Sequence, residues 1–196
     1  KYLQIKGTAM GTCVAPTYAH LVMGYLEVKI REMCTIKFGL NTTNDIFKKY
    51  WRYLDDILVI PDLEDDKISD FISIFSSIHN SFKFSSSISK THVNFLDLTL
   101  YLSNNKIHTD IYHKPTDSHQ YLHFYSNHPR HVKRNIPYCL TNRIFKIVSC
   151  PSRLKFRLIE LKNVLLSLKY PASLIDDAIK KCTITKADSK SEIPKN

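Results

Sequence analysis

A chain of 196 residues and 22.8 kDa accommodates one domain, or one domain with an appendage. Its 43% hydrophobic and 23% charged residues exclude wholesale disorder and allow a real core. The longest apolar runs, such as Ile57-Leu58-Val59-Ile60, are too short to cross a bilayer, so no membrane partner is expected. Lys1-Tyr2-Leu3-Gln4 lacks an initiator Met and a signal-peptide core, and reads as the inner part of a longer product. Five Cys with no Cys-x-x-Cys pair argue for a reducing, intracellular compartment, nuclear or cytoplasmic.

Taken in chain order, the first expected element is a strand or loop ending in Gly7-Thr8-Ala9-Met10-Gly11-Thr12. A helix follows from about Cys13 to Met33, because Ala15, Tyr18, Ala19, Val22, Leu26, Ile30 and Met33 recur at three or four residues. Pro16 falls in its first turn, where a missing N–H costs little. Gly39 to Asp45 reads as a turn. Tyr50–Leu54 and Ile57–Ile60 read as the arms of a hairpin with Asp55-Asp56 at its tip. A second amphipathic helix spans roughly Lys67 to His79, and the preceding Asp62, Glu64, Asp65 and Asp66 read as a solvated helix start. Phe82–Ile88 and Val93–Leu102 look like strands. Lys106–His113 returns after the turn Ser103-Asn104-Asn105.

Beyond Pro115 the character changes. Tyr121–Tyr125 is short and aromatic, and three helices follow over His128–Ser149, Ser152–Lys169 and Ala172–Lys181, broken at Pro151 and Pro171. Thr183–Asn196 is polar and reads as a loose tail. The expected architecture is α+β, an antiparallel sheet with helices on one face, followed by a small helical domain. The domain limits read from the sequence are 1–114, 115–182 and 183–196.

The placement of charge says more than its net value of +10. Residues 106–169 hold twelve Lys and Arg against Asp110, Asp117 and Glu160. Residues 45–66 are the reverse, with seven acids against Lys48, Lys49 and Arg52. An acidic point and a long basic surface suit a polyanion held along its backbone while a metal acts at one spot. A merely solvated basic face is the plainer alternative.

Tyr53-Leu54-Asp55-Asp56 is the strongest chemical signal. Two adjacent carboxylates at a strand tip repel each other, and a hard divalent cation such as Mg²⁺ relieves that repulsion. Two such ions can activate a hydroxyl and stabilise a leaving pyrophosphate. Asp-Asp is also a common turn pair. The loop Gly7 to Gly11 before a helix lets backbone approach a ligand closely and sets a helix N-terminus beside it, although such loops are more often plain tight turns. Six of the nine His lie between residues 108 and 131, but their spacing matches no standard zinc pattern, and structural or backbone-contacting roles are expected. Tyr121, Phe124 and Tyr125 are candidates for stacking on bases, with core packing expected for at least one of them.

Together and in this order, these segments resemble the palm of a reverse transcriptase, most nearly that of Penelope-like retroelements. Gln4-x-x-Gly7-Thr8-Ala9-Met10-Gly11-Thr12-x-x-Ala15-Pro16-x-Tyr18-Ala19-His20-Leu21-x-Met23-Gly24-x-x-Glu27 resembles motif B of that family, and Arg52-Tyr53-Leu54-Asp55-Asp56-Ile57 its motif C. Asn94-Phe95-Leu96-Asp97-Leu98, with the hairpin through Tyr112-x-Lys114-Pro115-Thr116, is similar to the region that supports the primer end. Tyr121-Leu122, Ser126-x-His128-Pro129 and Lys133-x-x-Ile136-Pro137 resemble the start of its thumb. The resemblance covers roughly residues 1–182.

It implies an RNA-directed DNA polymerase fragment working on an RNA template, a DNA primer and deoxynucleoside triphosphates, with nuclear work. Asp55 and Asp56 would be the catalytic metal ligands for a Mg²⁺ pair, with Mn²⁺ a substitute. Gln4, Gly7, Gly11 and Tyr53 would line the substrate pocket. Lys114, Arg130, Lys133, Arg134 and Arg143 would grip the hybrid backbone. The family's earlier metal-binding Asp strand and its fingers have no counterpart here, and no Gly-Ile-Tyr of a following endonuclease occurs, so the chain is expected to be inactive alone. The alternative is a non-catalytic nucleic-acid-binding module in which the three basic helices pack like a helix-turn-helix unit. The third is a decayed element copy with neither role.

Overall fold

The computed structural model describes residues 5, 7–9 and 11–191, with side chains described as far as residue 185. It is a mixed α+β chain in two compact units, Lys1–Ile88 and Ser89–Asn196.

The first unit opens with α1 (Ala15–Phe38), α2 (Leu40–Lys48) and the antiparallel pair β1 (Tyr50–Tyr53) and β2 (Asp56–Val59), and closes with α3 (Asp65–Ser77). Its core is Ile30 and Cys34 of α1, Ile46 of α2, and Phe71, Ile74 and Phe75 of α3. Pro16 sits in the first turn of α1, as expected, but the helix continues past Met33 to Phe38. Gly39, at φ 83°, then turns the chain and α2 begins at once. That short helix was legible only as a turn, because Asn41-Thr42-Thr43-Asn44 has poor helix propensity. Burial of Thr43 and Ile46 overrides it. Asp65 and Asp66 lie in the first turn of α3, where acids complement the helix dipole. Phe82–Ile88 joins no ladder among the described residues. Phe84 instead packs edge-on against Phe75, with centroids 5.5 Å apart.

The second unit begins with the meander β3 (His92–Phe95), β4 (Leu98–Ser103) and β5 (Lys106–Ile111), all antiparallel. The helices α4 (Arg130–Ile147), α5 (Pro151–Ser167) and α6 (Ala172–Ser191) follow. The run Val93–Leu102 is thus two strands, not one. It breaks at Leu96-Asp97, with Phe95 opposite Leu98. The core joins Ile111 of β5 to Ile144, Val148, Leu161, Leu165, Tyr170 and Ile175 of the helical part. α6 runs on through Thr183–Ser191 instead of stopping at Lys181.

Four contacts bind β5 to the α4–α5 connection and to α5. Thr109 N–H donates to Ser149 Oγ at 2.9 Å, and Ser149 N–H donates to the Thr109 carbonyl at 3.1 Å. Asp110, buried on β5, accepts from Arg157 Nε at 2.9 Å and Arg153 Nη1 at 3.1 Å. The domain limits read from the sequence, at 114 and 182, therefore do not coincide with the compact units. The hairpin before Pro115 packs with the helices after it. Among the described residues, no helix is long and apolar enough to cross a membrane.

Candidate nucleic-acid interface and acidic hairpin

The acidic hairpin is built by a two-residue turn. Tyr53 pairs with Asp56, so Leu54-Asp55 is the tip and Asp56 already belongs to β2. The sequence placed both acids at the tip. The ladder shifts the turn by one residue, because Leu54 takes φ 53° and closes it without glycine. Leu96, also at φ 53°, closes the β3–β4 turn in the same aromatic-Leu-Asp setting. A left-handed leucine is strained, yet its recurrence shows the Leu-Asp pair to be a turn device of this chain. The strain at Leu54 is therefore not by itself a mark of chemistry.

Asp55 and Asp56 are both exposed, and Tyr53 beside them is 58% exposed. Among the described residues, no third Cys, His, Asp or Glu gathers with the two acids into a possible metal-binding group. Two carboxylates supply only part of the oxygen shell that Mg²⁺ requires. By themselves they do not make a complete magnesium cage.

What does hold this turn is a cluster to which the sequence reading assigned no role. Arg52 on β1 donates from Nε and Nη2 to the two oxygens of Glu27 on α1, at 2.6 and 3.2 Å. Arg52 Nη1 donates to the Leu54 carbonyl at 3.1 Å. Tyr50 Oη donates to Glu27 Oε1 at 2.8 Å. Arg52 Nη1 also lies 3.2 Å from His20 Nδ1. A guanidinium only donates, so His20 Nδ1 accepts and its proton sits on Nε2. Burial first, and then the bond to Glu27, push the Tyr50 hydroxyl well above the ordinary phenol range. The sequence signal was an Arg within an aromatic strand and, on α1, His20 and Glu27 seven residues apart on one face.

Of the glycine-loop residues, Gln4 lies outside the described residues. Gly7 and Gly11 have φ 78° and 89°. A Cβ at Gly11 would meet nothing within 4 Å. The left-handed backbone, not close packing, is what calls for glycine there.

The basic residues divide by whether the unit's own acids already hold them. Arg143 of α4 is paired with Asp97 of the β3–β4 turn at 2.7 Å. Arg153 and Arg157 share Asp110, Arg157 also holds Glu160 at 2.8 Å, and Lys162 holds Asp176 at 2.6 Å. Burial raises the Asp110 pKa, but the bonds from Arg157 and the Ile111 N–H, with the charges of Arg157 and Arg153, together outweigh it and hold the carboxyl below its ordinary value. Lys133 Nζ donates to the Ser126 carbonyl at 2.6 Å and lies over the Phe124 ring. Lys114, Arg130 and Arg134 are exposed, and no carboxylate among the described residues pairs with them. Lys146 and Lys155 are in the same position. Arg130 and Arg134 stand one turn apart on α4 and share a face. Of the three aromatics, Phe124 and Tyr121 are half-buried against the core, Phe124 edge-on to Tyr170 at 5.3 Å. Tyr125 is 75% exposed.

The family model described as Animal helix-turn-helix domain matches residues 120–180. That segment begins in the loop before α4 and takes in α4, α5 and the first turns of α6. No curated protein and no solved structure matches the chain. Residues 120–180 are thus similar to a helix-turn-helix domain.

Proposed function

We propose that this chain is a nucleic-acid-binding protein whose helices α4–α6 hold a phosphate backbone through the cations left unpaired on their surface. The observation that carries this reading is the helix-turn-helix match over 120–180, falling on helices whose Glu160 and Asp176 are already occupied by Arg157 and Lys162. Arg130, Arg134, Lys146 and Lys155 then face a polyanion with nothing to neutralise first. Lys114 and Lys133, before and at the start of α4, extend the same grip, and Tyr125 offers an exposed ring to an unstacked base.

The test is fluorescence anisotropy on labelled duplex DNA, single-stranded RNA and an RNA–DNA hybrid across a salt series. The expected result is affinity that falls steeply and linearly, logarithm against logarithm, with salt. Absence of binding at low salt would overturn the proposal.

A second reading rests on Asp55 and Asp56 at a turn clamped by Arg52 and Glu27, within segments that resemble a reverse-transcriptase palm. On that reading the two acids would be the metal-binding pair of an RNA-directed DNA polymerase. Tyr53 would lie beside the primer end, and Gly7 and Gly11 beside the incoming nucleotide. Mg²⁺ would supply charge neutralisation at the transferred phosphate, and a third carboxylate from elsewhere would complete its shell. This chain alone should then extend no primer. Extension appears only when an Asp-bearing segment is supplied, and disappears in Asp55→Ala, Asp56→Ala. Binding that survives the same double substitution, with no extension under any supplementation, leaves the binding module alone.

A further inference from the structure

The connection from β5 to α4, residues 112–129, has no regular secondary structure, yet it converges three metal-ligating side chains. One ligand atom from each of His113, Asp117 and His119 lies within 4.8 Å of the others. His113 Nδ1 is 3.2 Å and His119 Nδ1 3.7 Å from the same oxygen, Asp117 Oδ2. Tetrahedral zinc with bonds of about 2.0–2.1 Å sets its ligand atoms about 3.4 Å apart, and the two observed separations fall on either side of that value. The imidazole and carboxylate donor set suits Zn²⁺ far better than Mg²⁺.

His113 Nδ1 hydrogen-bonds that oxygen at 3.2 Å, a contact that a bound ion would replace. Asp117 Oδ1 is occupied by the His119 backbone N–H at 2.9 Å, which orients the carboxylate. The Asp117 N–H donates to the Lys114 carbonyl at 2.8 Å and closes the turn that brings His113 back toward Asp117. His119 takes φ 52°, a left-handed conformation uncommon for this residue. The two imidazoles meet edge to face with centroids 4.5 Å apart. His113 and His119 also line a cavity of about 40 Å³, which Asp117 does not line. Arg143 and Arg157 line it too, but Asp97, Asp110 and Glu160 neutralise them, so neither presents an unbalanced charge to a cation.

We propose that His113, Asp117 and His119 form a Zn²⁺ site with a fourth position left to water, stapling the β5–α4 connection. The site is independent of the function proposed above. It uses no side chain of the nucleic-acid interface and neither acid of the hairpin; of Lys114 it uses the backbone carbonyl alone.

The test uses the full chain, stripped of metal and titrated with Zn²⁺ by calorimetry, with the visible absorption of Co²⁺ as a second probe. The expected result is one ion per chain, Co²⁺ bands of tetrahedral type, and a rise in melting temperature on Zn²⁺ addition. The double substitution His113→Gln, His119→Gln should lose at least about 100-fold in affinity, while His131→Gln on α4 should keep it. If the double variant does not fold, Asp117→Asn serves instead, because its amide oxygen can still accept the His119 N–H. No binding by the unaltered chain, or equal binding by the substituted chains, would overturn the site.

Discussion

Arg52 Nε lies 2.6 Å from Glu27 Oε1, joining the strand before the acidic turn to the middle of α1. Both side chains are largely buried, at 12% and 22% exposure. One guanidinium therefore links a helix carboxylate to the carbonyl of a strained turn residue, Leu54. Glu27→Ala should leave Arg52 Nε and Nη2 and the Tyr50 hydroxyl without their acceptor. A cost of about 2 kcal/mol to the first unit is expected. The single tryptophan, Trp51 on β1, makes this measurable, since its fluorescence in a urea series reports the hairpin directly. An unchanged midpoint would show that the cluster contributes nothing.

Asp110 is the corresponding joint of the second unit, accepting from Arg153, Arg157 and its neighbour's backbone N–H. Asp110→Ala removes the buried carboxylate that Arg153 and Arg157 share, leaving Arg157 with Glu160 alone and Arg153 with no acid. A loss of about 3 kcal/mol is expected, seen by circular dichroism as earlier melting of the helical unit. The pH dependence follows from the lowered pKa of this carboxyl. Its stabilisation is complete above the unfolded-chain value near pH 4. It is lost as pH falls through the lower folded value. The unaltered chain should therefore weaken in acid over that window, and the difference from Asp110→Asn should shrink there.

Arg143 separates charge that binds from charge that packs. Arg130→Ala and Arg134→Ala should each lower the salt slope of nucleic-acid binding by about 0.9 on duplex DNA. Arg143→Ala should leave that slope nearly unchanged, because Asp97 already neutralises it. Equal slope changes for all three would mean that the Asp97 pair opens on binding.

Cys150 caps the N-terminus of α5, and the Ser152 hydroxyl and then the Arg153 backbone N–H bring its thiol pKa down to about 7. Burial pushes Cys34 up to about 11. Alkylation at neutral pH followed by peptide mass spectrometry should mark Cys150 and spare Cys34. Ser152→Ala should move the Cys150 midpoint upward. All five cysteines are unbridged, so no reduction step precedes the assay.

Much of the local structure was legible in one dimension, and for a simple reason. The stripe of Leu26 and Ile30 on α1 is periodic, and Pro16, Pro151 and Pro171 mark helix starts or breaks. The strong strand-forming runs either side of the Leu54 turn likewise announced a hairpin. The cation excess after residue 106 and the two acids at 55 and 56 were equally plain. Such signals are local, carried by neighbours within a few residues.

What remained hidden depends on which distant residue arrives alongside. α2 exists because Ile46 meets the α1–α3 core, not because its Asn and Thr favour helix. The exact turn residues depend on ladder register, and left-handed leucines at 54 and 96 give no compositional cue. That Arg143 is paired while Arg130 is open, that Arg52 reaches Glu27, and that the histidines at 113 and 119 converge on Asp117 are facts of spatial approach. Composition states which charges a chain carries. Only the tertiary structure decides which of them cancel inside it and which are left facing water for a partner to find.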